Sequence, residues 1–392
     1  MSDDDSKSEI SHSQIAILGD NANVEGGIHY HLHYESPPPE AVRISPAPRP
    51  YADTKNLICP GGAMDTDSPF YIKRPADDAV SGGIRRPRGL VTIRGARQTG
   101  KTSLIMQMYV NARASDIPLR SVFVDFQALQ VSDFESLDSL WKAIETEIAC
   151  QLDTEILSTD SRQQNSRYDQ RLSGFLDRSV FAEDDTPLLL CLDEADRVFS
   201  FPVKSEFFAS VRAFYNRGAY DPAWKRVNWL LSTSSEPALF IEDLNQSPFN
   251  IGMRVELPPF TSEETAEFAD CHGLFPDASL LERIMAYAGG HPYLLHLLFY
   301  HMALNPESLG ALLDAPSAGN GIFGEHLNRF LKIFQKEPEL AGAMKRVIEG
   351  KGCKNVKQAE RLEAAGLARR DEHQKLMCSC GLYADYFSRE LS

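Results

Sequence analysis

Eight consecutive residues, Gly95-Ala96-Arg97-Gln98-Thr99-Gly100-Lys101-Thr102, carry two glycines, a lysine and a threonine at the spacing G-x-x-x-x-G-K-[ST]. The chemistry they suit is the capture of a polyphosphate. Glycines let successive backbone N–H groups turn inward around phosphate oxygens. A helix starting at the end of such a loop adds the partial positive charge of its N-terminus. Lys101 is then expected on the β- and γ-phosphates and Thr102 on Mg2+, with Ser103 next on the first turn. The context is right, because Leu90 to Arg94 reads as a short apolar strand and Ser103 to Arg113 as a helix.

A second pattern complements the first. Leu188-Leu189-Leu190-Cys191-Leu192 is an apolar run ending in Asp193 and Glu194. Asp193 is placed to hold the Mg2+ shell, and Glu194 to polarise an attacking water. The fourth apolar run ends in Ser232-Thr233-Ser234-Ser235. A hydroxyl there, assigned to Thr233, either senses a terminal phosphate or simply caps the next helix. An arginine from outside the loop is expected to meet transition-state charge. Arg254, Arg212 and Arg217 are the candidates by position, with Arg254 preferred. The letters Asp193-Glu194-Ala195-Asp196 spell a helicase box, but nothing downstream supplies the second strand–helix domain that a helicase needs.

These residues need elements to hold them. The chain has 392 residues, 43% hydrophobic and 24% charged, with a net charge of −15. That composition suits globular domains and excludes a wholly disordered or multi-span membrane chain. The N-terminus is acidic and serine-rich, unlike a secretory signal. Seven scattered cysteines without C-x-x-C, among them Cys378 and Cys380, read as reduced thiols, so a cytoplasmic location is expected. An acidic chain is a poor coat for nucleic acid, although a local basic face remains open.

Five strand-like segments are expected: Leu90 to Arg94, Ser121 to Phe126, Leu188 to Asp193, Val227 to Ser232 and Arg254 to Leu257. Helix-length segments separate them, which predicts an α/β fold with a five-stranded parallel sheet over residues 65–260. Thr261-Ser262-Glu263-Glu264 is a capping-box pattern, and helices follow to about residue 315 as a lid. After a break at Pro316 to Gly321, residues 321–392 are mostly helical with a polar interruption at Arg369 to Lys375. That order suggests a winged helix. Residues 1–56 form an appendage with a Pro-rich linker over 36–50. Within it, Gln14 to Tyr34 alternates with period two and predicts a β-hairpin that pairs with another copy or another protein. Its row of His29, His31 and His33 is either a metal site or a solvated strand face.

Several further segments carry a resemblance. They are Phe70-Tyr71-Ile72-Lys73-Arg74-Pro75-Ala76-Asp77, Phe207 to Asn216, Ser247 to Gly252, and Gly289-Gly290-His291-Pro292-Tyr293-Leu294-Leu295. With the phosphate loop and the carboxylates they resemble the bacterial AAA-like domain proteins of the STAND group of P-loop ATPases, from about Asp65 onward. The resemblance implies an ATP/ADP switch with Mg2+, closed with ADP and assembling or signalling with ATP. It implies that Tyr71 and Ile72 lie over the adenine and that the Gly-x-Pro element, with Pro292, packs against the base. It also implies a winged helix that latches the closed state. Related plant and animal switches place a nucleotide-contacting histidine late in that unit, where this chain reads Met377-Cys378-Ser379-Cys380. The chain reads as carrying no effector or repeat sensor, so a homo-oligomer or a separately encoded signalling partner is expected.

Two other functions compete. A DNA-associated ATPase of origin-recognition plan would use Lys354, Lys357, Arg361, Arg369 and Arg370, in a tail with 13 Lys and Arg against 10 Asp and Glu. An adaptor that binds ATP without turnover would have no use for Glu194. The basic residues around the loop (Lys73, Arg74, Arg85, Arg86, Arg88, Arg94, Arg97 and Lys101) are read as answering the nucleotide's charge.

Overall fold

The computed structural model describes residues 57–114, 118–156, 167–234, 252–305 and 321–391. The expected hairpin at 14–34 with its histidine row, the linker at 36–50, Ser235, most of the Ser247 to Gly252 motif and the break after 315 lie outside them.

The strands β1 (Leu90–Gly95), β2 (Arg120–Asp125), β3 (Leu188–Asp193), β4 (Val227–Ser234) and β5 (Met253–Glu256) form one parallel sheet. Their order is β2-β3-β4-β1-β5. β3 is buried at every position, which is why it reads as an unbroken apolar run. β4 lies between β1 and β3, so its C-terminal end separates the phosphate loop from the two carboxylates. Crevices outside the C-terminal ends of parallel strands are where such sheets bind ligands.

Alternation assigns each strand residue to a face. Val91, Ile93, Leu189, Cys191, Leu230 and Val255 pack beneath α1 (Pro75–Ile84) and α2 (Lys101–Arg113). Leu90, Leu190, Leu192, Trp229 and Leu231 face the other way. There they meet α3 (Leu137–Leu152), α4 (Tyr168–Phe175), α5 (Lys204–Arg217) and α6 (Pro222–Lys225). That second face is aromatic: Trp224 stacks on Phe214 with centroids 4.1 Å apart, and Trp141 meets Phe214 edge-on at 5.0 Å.

After Phe260 the chain is helical. α7 (Ser262–Cys271) starts on the expected capping box: the Thr261 hydroxyl accepts from Glu264 N, and the Glu264 carboxylate accepts from Thr261 N at 2.9 Å. α8 (Ala278–Ala288), α9 (Pro292–Leu304), α10 (Gly324–Lys336), α11 (Pro338–Ile348) and α12 (Val356–Ala364) follow. A short antiparallel pair, β6 (Ala368–Arg370) with β7 (Leu376–Cys378), flanks the polar interruption, and α13 (Gly381–Glu390) ends the described chain. The sequence separates residues 261–315 from 321–392, yet both segments pack around one apolar core. Phe268, Leu294 and Phe299 share it with Leu327, Leu362 and Tyr383. Phe70 and Ile72, from upstream of the sheet, complete it.

Candidate nucleotide site

The phosphate loop joins β1 to α2, as its composition requires. Gly100 caps α2 with φ 92°, a left-handed conformation that L-residues with a Cβ rarely adopt. The Lys101 ammonium is buried and donates to the loop's own carbonyls, Gly95 O at 3.1 Å and Ala96 O at 2.8 Å. Burial lowers its pKa, while Asp196, Glu194 and Asp193 pull it back up. Thr99 Oγ1 donates to Ala96 O at 2.8 Å. Arg74, also buried, reaches Thr99 O at 3.1 Å and Pro258 O at 3.4 Å, with its guanidinium over the Phe260 ring.

Asp193, at the end of β3, meets α2 through a side-chain hydrogen bond with Thr102. Ser232 Oγ donates to the same carboxylate and accepts from Glu194 N at 2.9 Å. Burial raises the Asp193 pKa, against the lowering effect of these hydrogen bonds. Hard oxygens from Thr102 and Asp193 at a helix N-terminus fit Mg2+, which is held by one or two protein oxygens and completes its shell with phosphate and water. Those two residues would hold the ion, and it would supply charge neutralisation at the phosphates.

The hydroxyl of this run that meets Asp193 is Ser232, the neighbour of the Thr233 to which the sequence assigns phosphate sensing or capping. Asp193 follows Leu192, whose partner across the sheet is Leu231, so Ser232 shares the Asp193 face beneath α2. Thr233 falls on the opposite face, and its Oγ1 is buried without a partner. One step along a strand reverses the side chain, and composition does not resolve that step. Ser232→Ala is accordingly expected to cost about 10- to 100-fold in Mg2+-dependent turnover, the usual effect of losing a partner of a metal ligand. Thr233→Ala should change turnover by less than about twofold, since a buried hydroxyl without a partner contributes little. Steady-state rates of both variants measure the ranking, and the reverse order would return the role to Thr233.

Glu194 sits just past β3 with φ 53°. Its Oε2 accepts from Gln127 Nε2 at 3.0 Å and lies 4.0 Å from Arg97 Nη2. Gln127 belongs to the loop after β2, which Arg197 fixes by donating to Gln127 O and Leu129 O, each at 2.8 Å. Neither Gln127 nor Arg197 belongs to a pattern legible in the sequence.

Arg254 lies on the terminal strand β5 opposite Thr92. Its neighbour Val255 packs under α1 and α2, so Arg254 is on the face away from Asp193. Burial and Arg94 lower its pKa. Arg217 is tied to Asp221 at 2.8 Å. The basic cluster seen in the sequence disperses: Lys73 pairs with Asp78, Arg88 donates to Tyr215 O and Arg94 pairs with Glu256. Arg74, Arg97 and Lys101 are the members that touch the loop or its carboxylates.

Beside the loop is a cavity of about 110 Å3. Tyr71, Ile72 and Pro292 line it together with Gln98, Thr99, Gly100 and Ser103. Met64 and Tyr293 line it too, and the sequence did not single them out as site residues. The upstream segment is pinned across α2, with Met64 N on Ser103 Oγ at 3.0 Å and Gln107 Nε2 on Thr66 O at 2.8 Å. Tyr71 Oη donates to Asp77 at 2.6 Å.

The far end of the chain closes over the loop. His326 of α10 bonds Gln98 Oε1 through Nδ1 and Tyr383 Oη through Nε2, both at 2.8 Å. His291 bonds the Arg97 backbone. A Cβ on Gly366 would lie 2.8 Å from the Ala96 Cβ, so backbone of the tail abuts the phosphate loop. Met377, Cys378, Ser379 and Cys380, where a late histidine was compared, do not make these contacts. Cys378 Sγ instead points at Cys380 O, and both thiols are free.

A parallel sheet with a phosphate loop after its interior strand β1 and a carboxylate pair two strands away, at the end of β3, defines a P-loop ATPase-like protein. The chain belongs to the AAA-like domain family, whose model matches residues 59–389. Among solved structures it is similar to a Walker-type ATPase of Pyrococcus abyssi, with a TM-score of 0.56 at 15% identity, covering 81% of this chain and 96% of that one. It is also similar to the ORC2 protein of Aeropyrum pernix in ADPNP–ADP complexes, with a TM-score of 0.51 at 15% identity, covering 80% and 90%. A curated relative is an uncharacterised WD repeat-containing protein of Synechocystis, 23% identical over 240 residues, or 60% of this chain. The chain spans 20% of that relative's length. No helix among the described residues is long and apolar enough to cross a membrane.

Proposed function

We propose that this protein is an ATP-binding, slowly hydrolysing molecular switch of the STAND type, acting in bacterial signalling or defence from the cytoplasm. The observation that carries the reading is the contact of the C-terminal unit with the phosphate loop, through His326 on Gln98 and Gly366 against Ala96. In this reading residues 321–391 are a winged helix, and the described form is the closed one. Lys101 spends its ammonium on the loop's own carbonyls there, so a β-phosphate entering the loop has to displace those bonds. The P-loop N–H groups and Lys101 take the phosphates, Tyr71, Ile72 and Pro292 take the base, and Glu194 orients water for hydrolysis. Opening then exposes a surface for a second copy or for a signalling partner. The DNA reading has less to draw on, because Arg361 is paired with Glu337 and Arg370 with Glu363.

Mass measurements in solution under ADP and under ATP test the switch. ATP is expected to give a larger complex with Glu194→Gln, and ADP a monomer. His326→Ala removes the link to Gln98 and should bring the ATP-dependent assembly to nucleotide concentrations at least about fivefold lower, a shift of about 1 kcal/mol in the closed state. If no nucleotide changes the mass and turnover is absent, the switch reading is wrong.

A further inference from the structure

We infer that Arg97 is the residue by which this site tells a nucleoside triphosphate from a diphosphate, and that it does so by exchanging Glu194 for the γ-phosphate. The inference rests on the nucleotide reading above and adds to it a role for a loop residue whose side chain the P-loop pattern leaves free. Arg97 is the third residue of the loop, between strand β1 and the start of α2. Its backbone is fixed on both sides. His291 holds the Arg97 backbone, Gly366 abuts Ala96 and His326 holds the Gln98 side chain. The guanidinium is not fixed in the same way. It is 41% exposed and reaches Glu194 at 4.0 Å, the outer limit of an ion pair.

An ion pair so long and so exposed is weak. A phosphoryl group offers more negative charge than a carboxylate, and two oxygens that match the guanidinium fork. When a γ-phosphate lies past Lys101, the same side chain therefore has a better partner within its swing. An ADP molecule ends at the β-phosphate and offers no such group, so Arg97 stays on Glu194. Gln127 remains as the neutral second contact of Oε2. Loss of the cation thus leaves Glu194 with one amide donor in place of two partners, and its carboxylate can turn toward a water. Discrimination between ATP and ADP and the release of Glu194 are then one event. Arg254 does not take this place, since it lies on the other face of the sheet.

The test is calorimetric binding of AMPPNP and of ADP, each with Mg2+, to the full chain and to Arg97→Ala, Glu194→Gln and the double variant. Arg97→Ala should lower the ratio of AMPPNP to ADP affinity at least tenfold while moving ADP affinity by less than threefold. Arg97→Lys keeps the charge and loses the fork, so it should fall between the two. Glu194→Gln should tighten AMPPNP severalfold, because the competitor for the guanidinium is weakened. In the Arg97→Ala background the same change should move AMPPNP by less than twofold. An unchanged ratio in Arg97→Ala overturns the inference, as does an equal loss of both nucleotides or an equal effect of Glu194→Gln in both backgrounds. If the unaltered chain binds neither nucleotide, the nucleotide reading itself falls and the inference with it. Thermal melts accompany each variant, and Arg97→Gln replaces the alanine variant should that one unfold.

Discussion

Glu194→Gln should lower ATP turnover by at least about 100-fold, within the range lost when a positioned general base is removed, while nucleotide still binds. The substitution keeps size and hydrogen bonding and removes the negative charge that draws a proton from water. The surroundings support it structurally. Glu194 N is held by Ser232 Oγ whichever side chain follows, and Gln127 donates to a side-chain oxygen that the amide also has. The backbone there is left-handed at φ 53°. Such strain costs about 1–3 kcal/mol and persists where surrounding structure fixes it. Here the strand end, the Ser232 bond and the following turn, in which Arg197 N bonds Glu194 O at 2.9 Å, do so. Lys101→Ala is the matching control. It should remove nucleotide binding itself, since its ammonium is the buried cation inside the loop. Single-turnover rates with radiolabelled ATP separate the two variants. Turnover by Glu194→Gln within threefold of the unaltered chain would remove Glu194 from the mechanism, and nucleotide binding without turnover in the unaltered chain would leave the adaptor reading standing.

The same residues show what sequence does and does not carry. The loop, β1, β3 and the carboxylate pair are local patterns, because phosphate binding needs contiguous N–H groups and a buried parallel strand needs a run of apolar residues. The capping box at Thr261 is local for the same reason. Ser232 was hidden because its role depends on register across two strands, and Ser and Thr at 232, 233 and 234 look alike in composition. Gln127 and Arg197 come from the loop after β2 and the turn after β3, more than 60 residues apart along the chain. The His326–Gln98 bond joins residues 228 apart. No periodicity or spacing encodes such pairs, since the first exists only once β2 and β3 lie side by side in the sheet, and the second only once the helices after Phe260 fold back as one core onto the loop. That core is also why the division at residues 315 and 321 is visible in composition and absent from the packing.

That fold-back makes a second large effect, on stability rather than rate. Four histidines are buried where the helical part meets the loop and the upstream segment: His272, His291, His296 and His326. Burial pushes the first three down to about 4 and the last to about 3. The folded pKa values lie below the unfolded one of about 6.5, so the unfolded chain binds more protons between pH 6.5 and 4. Stability is therefore full above pH 6.5 and is lost as pH falls through that window. At pH 5 each group costs about 2 kcal/mol, at 1.36 kcal/mol per unit, and four of them, about 8 kcal/mol, fall within the 5–15 kcal/mol that holds a typical domain together. Ion-paired carboxylates such as Asp138, Asp169 and Glu337 have lowered pKa values and act only below about pH 4.5. Above pH 5 the histidines therefore set the sign, opposed by Asp193 and Glu264, whose carboxyl pKa values burial raises. The melting temperature should fall by about 10 °C between pH 7 and pH 5, since the roughly 2–4 °C per kcal/mol of a 150–250-residue domain shrinks to about 1–2 °C for a chain of this length. His272 isolates the cause. It packs among Phe70, Phe268, Phe299 and His296, with Nδ1 bonded to Phe268 O at 2.8 Å and Nε2 buried without a partner. His272→Phe keeps the ring and removes the titration but loses the Nδ1 bond to Phe268 O, so it should lower the pH 7 melting temperature modestly and shrink the drop between pH 7 and pH 5 by about a quarter, its share of four similar shifts. Equal melting temperatures at the two pH values would mean that water reaches these imidazoles, and an unchanged acid loss in His272→Phe would remove that imidazole from the account.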